Sequence, residues 1–562
     1  MPVKRRLLRE EVTYSQVASK EENILHKLAY WDKQCEFFTY IHRRRGLIES
    51  AVAHHMGLSS SSRCQAADVK DWMRGSFNLC VPVTIDSRDT RRRRVLMRFP
   101  LQHRVGEQFR PGNADEKVRC EAGAYAWLGR ECPSIPMPHM YGFALAGGQR
   151  FTTLQHLSLS ARLWQKLRYW ARSLLQLPLP SPLVPHPAKF DPKNELGPYL
   201  LLDFIDESQG EMLSNTWSEK YTDKSLRTNF FRNLSKIMVT LSRKPLPKIG
   251  SFIIDDDGIL CLENRPLTVE LQVLENEHIP LDNVIPRQQT FHGVDSYVNR
   301  LLSMHDTRLR HQPNAVNNIA DCAGQMSALA MMRTVAHEFF DCDLNHGPFI
   351  YMLTDLHASN IFVDEYWNIK FLIDLEWAAS LPLEFMQPPS WLTNEQCDVI
   401  DATRYNELRE EFTEILEEEE REEEGGGGDT KIRVEQKKEE SVHRHENENE
   451  NMCARLRLST VMKKTWDRGA FWYILALRSP TGLNTLFYDR IQPLYALGHA
   501  NEGQFYLITH RYWTRGADSI VRQKVADKEV YDRKLRKEFG EDEDEEGNVP
   551  PDAGGSGNGN VS

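Results

Sequence analysis

The ten cysteines contain no C-x-x-C pair and lie far apart, which argues against a cysteine zinc site and a disulfide framework alike. The longest apolar run, Ala470 to Leu477, is far too short to span a bilayer, so no membrane partner is expected. Met1 to Val12 mixes Lys4, Arg5 and Arg6 with Glu10 and Glu11, which fits neither a signal peptide nor an acid-free transit peptide. A soluble cytoplasmic protein with reduced thiols is the expectation. Cationic stretches are also scarce: Arg91 to Arg94 is too short for a nucleic-acid stripe, and the net charge is -10. No nucleic acid partner is expected, and no internal repeat is evident.

What is present is a chain of 562 residues, 40% hydrophobic and 27% charged, long enough for two lobes with extensions. Residues 1–70 read as a helical extension, with Ile24, Leu28, Trp31 and Phe38 at roughly helical spacing from about Lys20 to Met56. Leu79 to Ile85 and Arg93 to Phe99 read as a hairpin around the turn Asp86-Ser87-Arg88-Asp89. A helix follows from Ala114 to Leu128, then extended Ile135-Pro136-Met137-Pro138, then strands near Tyr141 to Leu145 and Phe151 to Leu154. Proline-rich Leu177 to Pro192 reads as a loop, and Tyr199 to Ile205 as the strand joining the lobes, which closes a small β-rich unit at 71–205. Residues 206–416 read as a larger, mostly helical unit with helices near 226–241 and 319–340 and a hairpin near 252–262. The glutamate and glycine tract at 417–452 is expected to be disordered, 453–530 a C-terminal helical segment, and 531–562 a disordered acidic tail.

The densest chemical signal is Tyr351-Met352-Leu353-Thr354-Asp355-Leu356-His357-Ala358-Ser359-Asn360, followed by Ile361 to Asp364 and Ile369 to Asp374. Asp355 and Asn360 have the spacing of a kinase catalytic loop, in which the aspartate takes the acceptor's proton and the asparagine ligates magnesium. Alternating Ile361, Val363, Ile369, Phe371 and Ile373 form a hairpin that returns Asp374 beside Asn360, giving two hard oxygen donors suited to magnesium. Asp and Asn also serve as turn or cap residues; the hairpin and the second aspartate favour the functional reading. His357 reads equally as an orienting or a structural group.

In the first lobe, Arg98 on the second strand of the early hairpin suits the cation that binds nucleotide phosphates. Glu121 shares an apolar helical stripe with Val118, Ala122, Tyr125 and Leu128, and a buried carboxylate needs a partner, so Arg98 is expected to pair with it. The alternative is a surface Arg and a surface Glu. Ser76 and Asn78, in Arg74-Gly75-Ser76-Phe77-Asn78, are expected to contact phosphate, though the segment has one glycine in place of a G-x-G-x-x-G series and is equally an ordinary turn.

Together these segments resemble the aminoglycoside phosphotransferase superfamily, in particular its large fungal branch, over about Asp71 to Thr393. The resemblance rests on Gly75 to Asn78, Val95 to Pro100, Glu116 to Glu121, Ile135 to Pro138, Gly250-Ser251 with Asn264-Arg265-Pro266-Leu267, and Asp355 through Trp377. It implies an α+β, two-lobed protein-kinase-like fold and ATP and Mg2+ as cofactors. It also implies Asp355 as catalytic base, Asn360 and Asp374 as metal ligands, and Arg98 as the phosphate cation with Glu121 as its partner. Backbone groups of Asp203, Phe204 and Ile205 would lie at the adenine edge.

Leu353-Thr354 stand where the superfamily has His-Gly, and Arg98 where it has Lys. Two functions therefore stay open: a phosphotransferase acting on a small-molecule hydroxyl, and a pseudokinase-type binding module using the acidic insertion or C-terminal helices to hold a protein partner. A polypeptide kinase ranks behind both, because neither D-F-G nor A-P-E is present.

Overall fold

The computed structural model describes residues 3–86, 93–191, 193–395, 399–426, 456–496 and 503–541. It is a mixed α+β protein with small antiparallel sheets.

The main sheet contains β1 (Cys64–Ala66), β2 (Asn78–Ile85), β3 (Arg93–Pro100), β4 (Met140–Ala144), β5 (Arg150–Thr153), β6 (Leu183–Pro185) and β7 (Tyr199–Asp203). Their spatial order is β1-β2-β3-β7-β4-β5-β6, and each pair is antiparallel. The hairpin expected from the apolar alternation is β2–β3; its turn, Ser87 to Asp89, lies outside the described residues.

Strand alternation in β3 sends Val95, Met97 and Phe99 to one face, where they meet Ile41, Ile48 and Val52. Those three come from α1 (Tyr30–His42) and α2 (Arg45–His55). Arg98 therefore points to the other face, toward α3 (Asn113–Glu131). Residues 1–70 accordingly do more than form a helical extension, since they cover one face of the sheet and supply β1.

Helix α3 starts where the Glu107 carboxylate accepts the free amides of Gly112 and Ala114, both at 2.7 Å. Its N-terminal half is clamped by Arg265, fully buried between Glu116 (2.8 Å) and Glu275 (2.7 Å). Farther along, Gly123 brings α3 against β8 (Ser251–Ile254), where a Cβ would stand 2.3 Å from the Phe252 carbonyl oxygen. These contacts fix the height at which Glu121 faces Arg98.

β8 pairs with β9 (Leu260–Asn264), β10 (Phe349–Leu353) with β13 (Ala378–Pro382), and β11 (Ile361–Val363) with β12 (Ile369–Leu372). The chain leaves β10 into the loop of Asp355 and re-enters beside it at β13, because Leu353 lies opposite Ala378. The Leu372 amide also donates to the Pro136 carbonyl (2.9 Å), tying the β11–β12 hairpin to the extended proline segment. After α4 (Leu159–Leu174) in the chain come α5 (Lys224–Ser242), α6 (Val269–Asn276), α7 (Val294–His311) and α8 (Ile319–Phe339), which pack around these strands.

Three expectations are corrected. The Leu177 to Pro192 loop contains strand β6, which extends the main sheet. The acidic tract begins as helix: α9 (Ala402–Gly426) runs through the first glutamates because Phe412 and Leu416 pack in the core. Glu419 and Glu420 are buried there, held by Arg232 (3.0 Å) and by the Leu458 amide (2.6 Å). Residues 427–455 lie outside the described residues. After α10 (Leu458–Asp467) and α11 (Ala470–Leu477), helix α12 (Ala517–Glu538) passes residue 531, where a disordered tail was expected. Tyr531 and Leu535, one turn apart, seal α12 against Val12, Val17 and Ile24.

Candidate functional site

The site lies between the inner face of β3, the side of α3 and the β11–β12 hairpin. Arg98, 2% exposed, is its hub. One guanidinium nitrogen is paired with Glu121 as expected. The other reaches Asp374 at 2.6 Å and both oxygens of Glu376 at 2.9 Å. Lys117, one turn before Glu121 on α3 and fully buried, binds Glu376 at 3.0 Å and the Asn78 amide oxygen at 2.7 Å. Asn78 in turn donates to Glu376 at 3.0 Å.

Sequence reasoning gave Lys117 and Glu376 no role. The i,i+4 placement of Lys117 and Glu121 was the available signal, since both share the inward stripe of α3. Glu376 had no such signal, being the middle residue of one short turn between Leu375 and Trp377.

Asp374 sits in left-handed backbone geometry (φ 60°, ψ 58°), a conformation that asparagine and aspartate tolerate better than most residues. The bend turns its carboxylate, one-third exposed, toward Arg98 and the open side of the site. Asn360 is buried, and its amide nitrogen donates to the Asp355 carbonyl (2.8 Å) and approaches the Asp355 carboxylate (3.4 Å). The Ile373 amide donates to the Asn360 carbonyl (3.0 Å), so the hairpin does bring Asn360 and Asp374 side by side. His357 pairs through Nδ1 with Ser359 Oγ (2.6 Å), while its Nε2 lies 3.7 Å from Asp355; burial lowers its pKa, so it is neutral near pH 7.

The other expected residues lie farther out. Ser76 is exposed and outside the cluster, with its carbonyl accepting Arg104 at 2.9 Å. Asn78 is no exposed phosphate donor, because its amide is committed to Lys117 and Glu376. Asp203, Phe204 and Ile205 follow Leu200, the residue opposite Arg98, and line a separate cavity of about 650 Å³ with Ile85 and Phe371. The Asp203 side chain accepts the Tyr141 hydroxyl.

The cluster holds more carboxylates than cations: Glu121, Asp355, Asp374 and Glu376 against Arg98 and Lys117. Burial, followed by repulsion from Glu376 and Asp374, pushes Asp355 up to about 8. Burial likewise raises Glu121 to about 8 and raises Asp374, against the opposing pull of Arg98. Glu376 alone goes down, to about 2, because Arg98 and Lys117 together outweigh its burial. Two carboxyls that titrate near neutral pH, Glu121 fully buried and Asp355 partly so, beside one firmly ionised carboxylate describe a site short of positive charge. Hard oxygen donors at Asp374 and Asn360 fit a small divalent cation there.

No protein-family model matches the chain, and no curated protein matches it significantly.

Proposed function

We propose that the chain has a two-lobed protein-kinase-like fold and is an ATP- and magnesium-dependent phosphotransferase that phosphorylates a hydroxyl of a small molecule. The observation that carries this reading is the charge-deficient cluster in which Arg98 joins Glu121 to Asp374 while Asn360 and Asp355 stand beside it. The sheet order β1-β2-β3-β7-β4, with α3 inserted between β3 and β4, supports the lobe assignment.

Magnesium held by Asp374 and Asn360, with nucleotide phosphates at Arg98, would supply the transferable phosphoryl group and the missing positive charge. The chain's own residues do the remaining work. Glu121 and Glu376 fix the planar guanidinium of Arg98 from two sides, so its orientation is set before any ligand arrives. Lys117 holds Glu376 ionised. Once that added positive charge has drawn off the proton Asp355 holds in the ligand-free site, its carboxylate accepts the acceptor hydroxyl's proton, and the Asn360 amide keeps that carboxylate in place. The nucleobase would use the cavity bordered by Ile85, Phe371 and the Asp203–Ile205 backbone.

A second reading, a nucleotide- or protein-binding module without turnover, is favoured by one observation: Arg98 already pairs with the metal-ligand carboxylate of Asp374 at 2.6 Å. Calorimetric titration of ATP with and without magnesium tests the site itself. Wild type should bind ATP more tightly with magnesium, and Asp374→Ala should lose that enhancement; an equal magnesium response in both proteins removes Asp374 as a ligand.

A further inference from the structure

Asp355 opens onto a cavity of about 340 Å³, at the small end of the range for ligand pockets. One wall is the apolar side of α5, with Leu234, Ile237, Met238 and Leu241. The opposite wall is α11, with Phe471 and Ile474, and Met386 and Trp391 also line it. Besides Asp355 and its neighbour His357, the charged groups present are Arg478 and Glu270, which face each other at 3.8 Å. Arg478 is further tied to the Thr354 carbonyl at 2.5 Å.

A polyamine sugar needs several acidic partners, and among the described residues this cavity offers none beyond Asp355 and the paired Glu270. Thr354, Gln387, Ser390 and Ser479 also line the cavity, but an extra hydroxyl set against its leucine and methionine walls is left without a partner, which disfavours binding. We propose that this cavity takes the acceptor of the phosphotransferase reading, on which the proposal rests, and that the acceptor is a small, uncharged, mostly apolar alcohol. Its hydroxyl proton passes to Asp355 as its oxygen bonds to the γ-phosphorus of ATP and the bond from that phosphorus to ADP breaks.

The test combines calorimetric binding and magnesium-ATP consumption by the full chain with 1-octanol, geraniol, glucose and an aminoglycoside. The apolar alcohols should bind and be phosphorylated. Met238→Glu and the volume-filling Ile237→Phe should each weaken their binding at least about tenfold, the scale of one buried apolar contact, with magnesium-ATP affinity unchanged as the check on folding. Alcohol binding without turnover upholds the pocket and defeats the transfer reading. Phosphorylation of glucose or the aminoglycoside with no alcohol binding upholds transfer and overturns the substrate class. Binding of none of the four overturns the proposal.

A second inference stands on a different observation. Helix α4 is inverted: Leu159, Leu163, Trp164, Leu167, Trp170 and Leu174 are between 53% and 80% exposed. At 100° per residue these six occupy one continuous face. The opposite, polar face turns to the protein, where Arg162, Arg168 and Arg172 donate to the backbone carbonyls of Leu157 (2.9 Å), Asp257 (3.1 Å) and Pro178 (2.7 Å). On the helical wheel exposed Lys166 borders one edge of the apolar arc, while Arg168 at the other edge is held by the Asp257 carbonyl. From Cys132 to Phe190 the sequence contains no Asp or Glu, in a chain whose net charge is -10.

Residues 427–455 and 542–562 carry only scattered apolar side chains such as Ile432, Val434 and Val549, too few to cover this face. We infer that α4 lies flat on an anionic phospholipid surface, its leucines and tryptophans in the acyl boundary and Lys166 at the headgroups. Vesicle flotation of the full chain tests this. Wild type should float with phosphatidylserine-rich vesicles and much less with pure phosphatidylcholine. Leu163→Glu/Trp170→Glu should reduce flotation at least about tenfold with an unchanged thermal midpoint, since both side chains are exposed. Absence of wild-type flotation, or equal flotation with both vesicle types, overturns the inference. So does a concentration-dependent dimer that the double variant abolishes, which would make this face an interface between copies.

Discussion

Replacing Glu376 with glutamine changes one buried atom and should cost more stability than most substitutions in the protein. The Glu376 carboxylate, 1% exposed, meets Arg98, Lys117 and Asn78 at 2.9–3.0 Å. A carboxamide presents an N–H group to these donors and removes the charge that keeps two buried cations compensated. Removing one partner of a buried ion pair typically costs about 3–5 kcal/mol, whereas an exposed Glu→Gln stays within about 0.5 kcal/mol. Urea unfolding of Glu376→Gln, Lys117→Met and the double variant gives the comparison. The double variant should be less destabilised than the two single effects combined, with a coupling of about 0.5–3 kcal/mol for directly paired residues. Glu376→Gln within about 0.5 kcal/mol of wild type, or additive effects, would refute the claim that this carboxylate organises the cluster.

Further outcomes follow from the same geometry. Burial, with repulsion from Glu376 and Asp374, raises Asp355 from the ordinary carboxylate range to about 8, so its folded form holds a proton that the unfolded chain has released over that interval. Its contribution to stability is complete below about 4 and falls as pH rises toward 8, by at most about 1.4 kcal/mol per pH unit. Thermal midpoints of ligand-free wild type should therefore decline more steeply between pH 6 and 8 than those of Asp355→Asn, and identical slopes would contradict the shift. Gly123→Ala places a methyl group 2.3 Å from the Phe252 carbonyl oxygen and must push α3 off β8; its thermal midpoint should drop, and a midpoint equal to wild type would show that the contact is slack. Tyr531→Ala should loosen the seal between α12 and the N-terminal segment, since the Tyr531 hydroxyl accepts the Ile24 amide at 2.9 Å; amide exchange at residues 12–28 should accelerate, and unchanged exchange there would locate the seal elsewhere.

The Arg98–Glu121 pair was legible because two periodicities met: strand alternation put Arg98 opposite the face of Val95 and Met97, and the helical stripe turned Glu121 inward. The return of Asp374 to Asn360 was legible from the alternation of the β11–β12 hairpin. Glu376 was hidden because its burial depends on Arg98 and Lys117, more than 250 residues earlier, and no local pattern carries that distance. The first glutamates of the acidic tract were misread for the same reason: composition argues for a solvated chain, but Glu419 and Glu420 find Arg232 and Leu458 in the folded protein. Helix α4 carries a clear helical period and a serine N-cap, yet period alone does not say which face turns inward, and here it is the polar one.

In the proposed reaction Asp355 acts as base in phosphoryl transfer to an alcohol. Magnesium-dependent ATP consumption by wild type and Asp355→Ala, measured across hydroxylated small molecules, tests it most directly. Wild type should turn over, and the variant should fall by about 10²–10⁴ while ATP binding is retained, the loss expected on removing a general base. Undiminished turnover in Asp355→Ala, or nucleotide binding with no turnover by wild type on any acceptor, would contradict it.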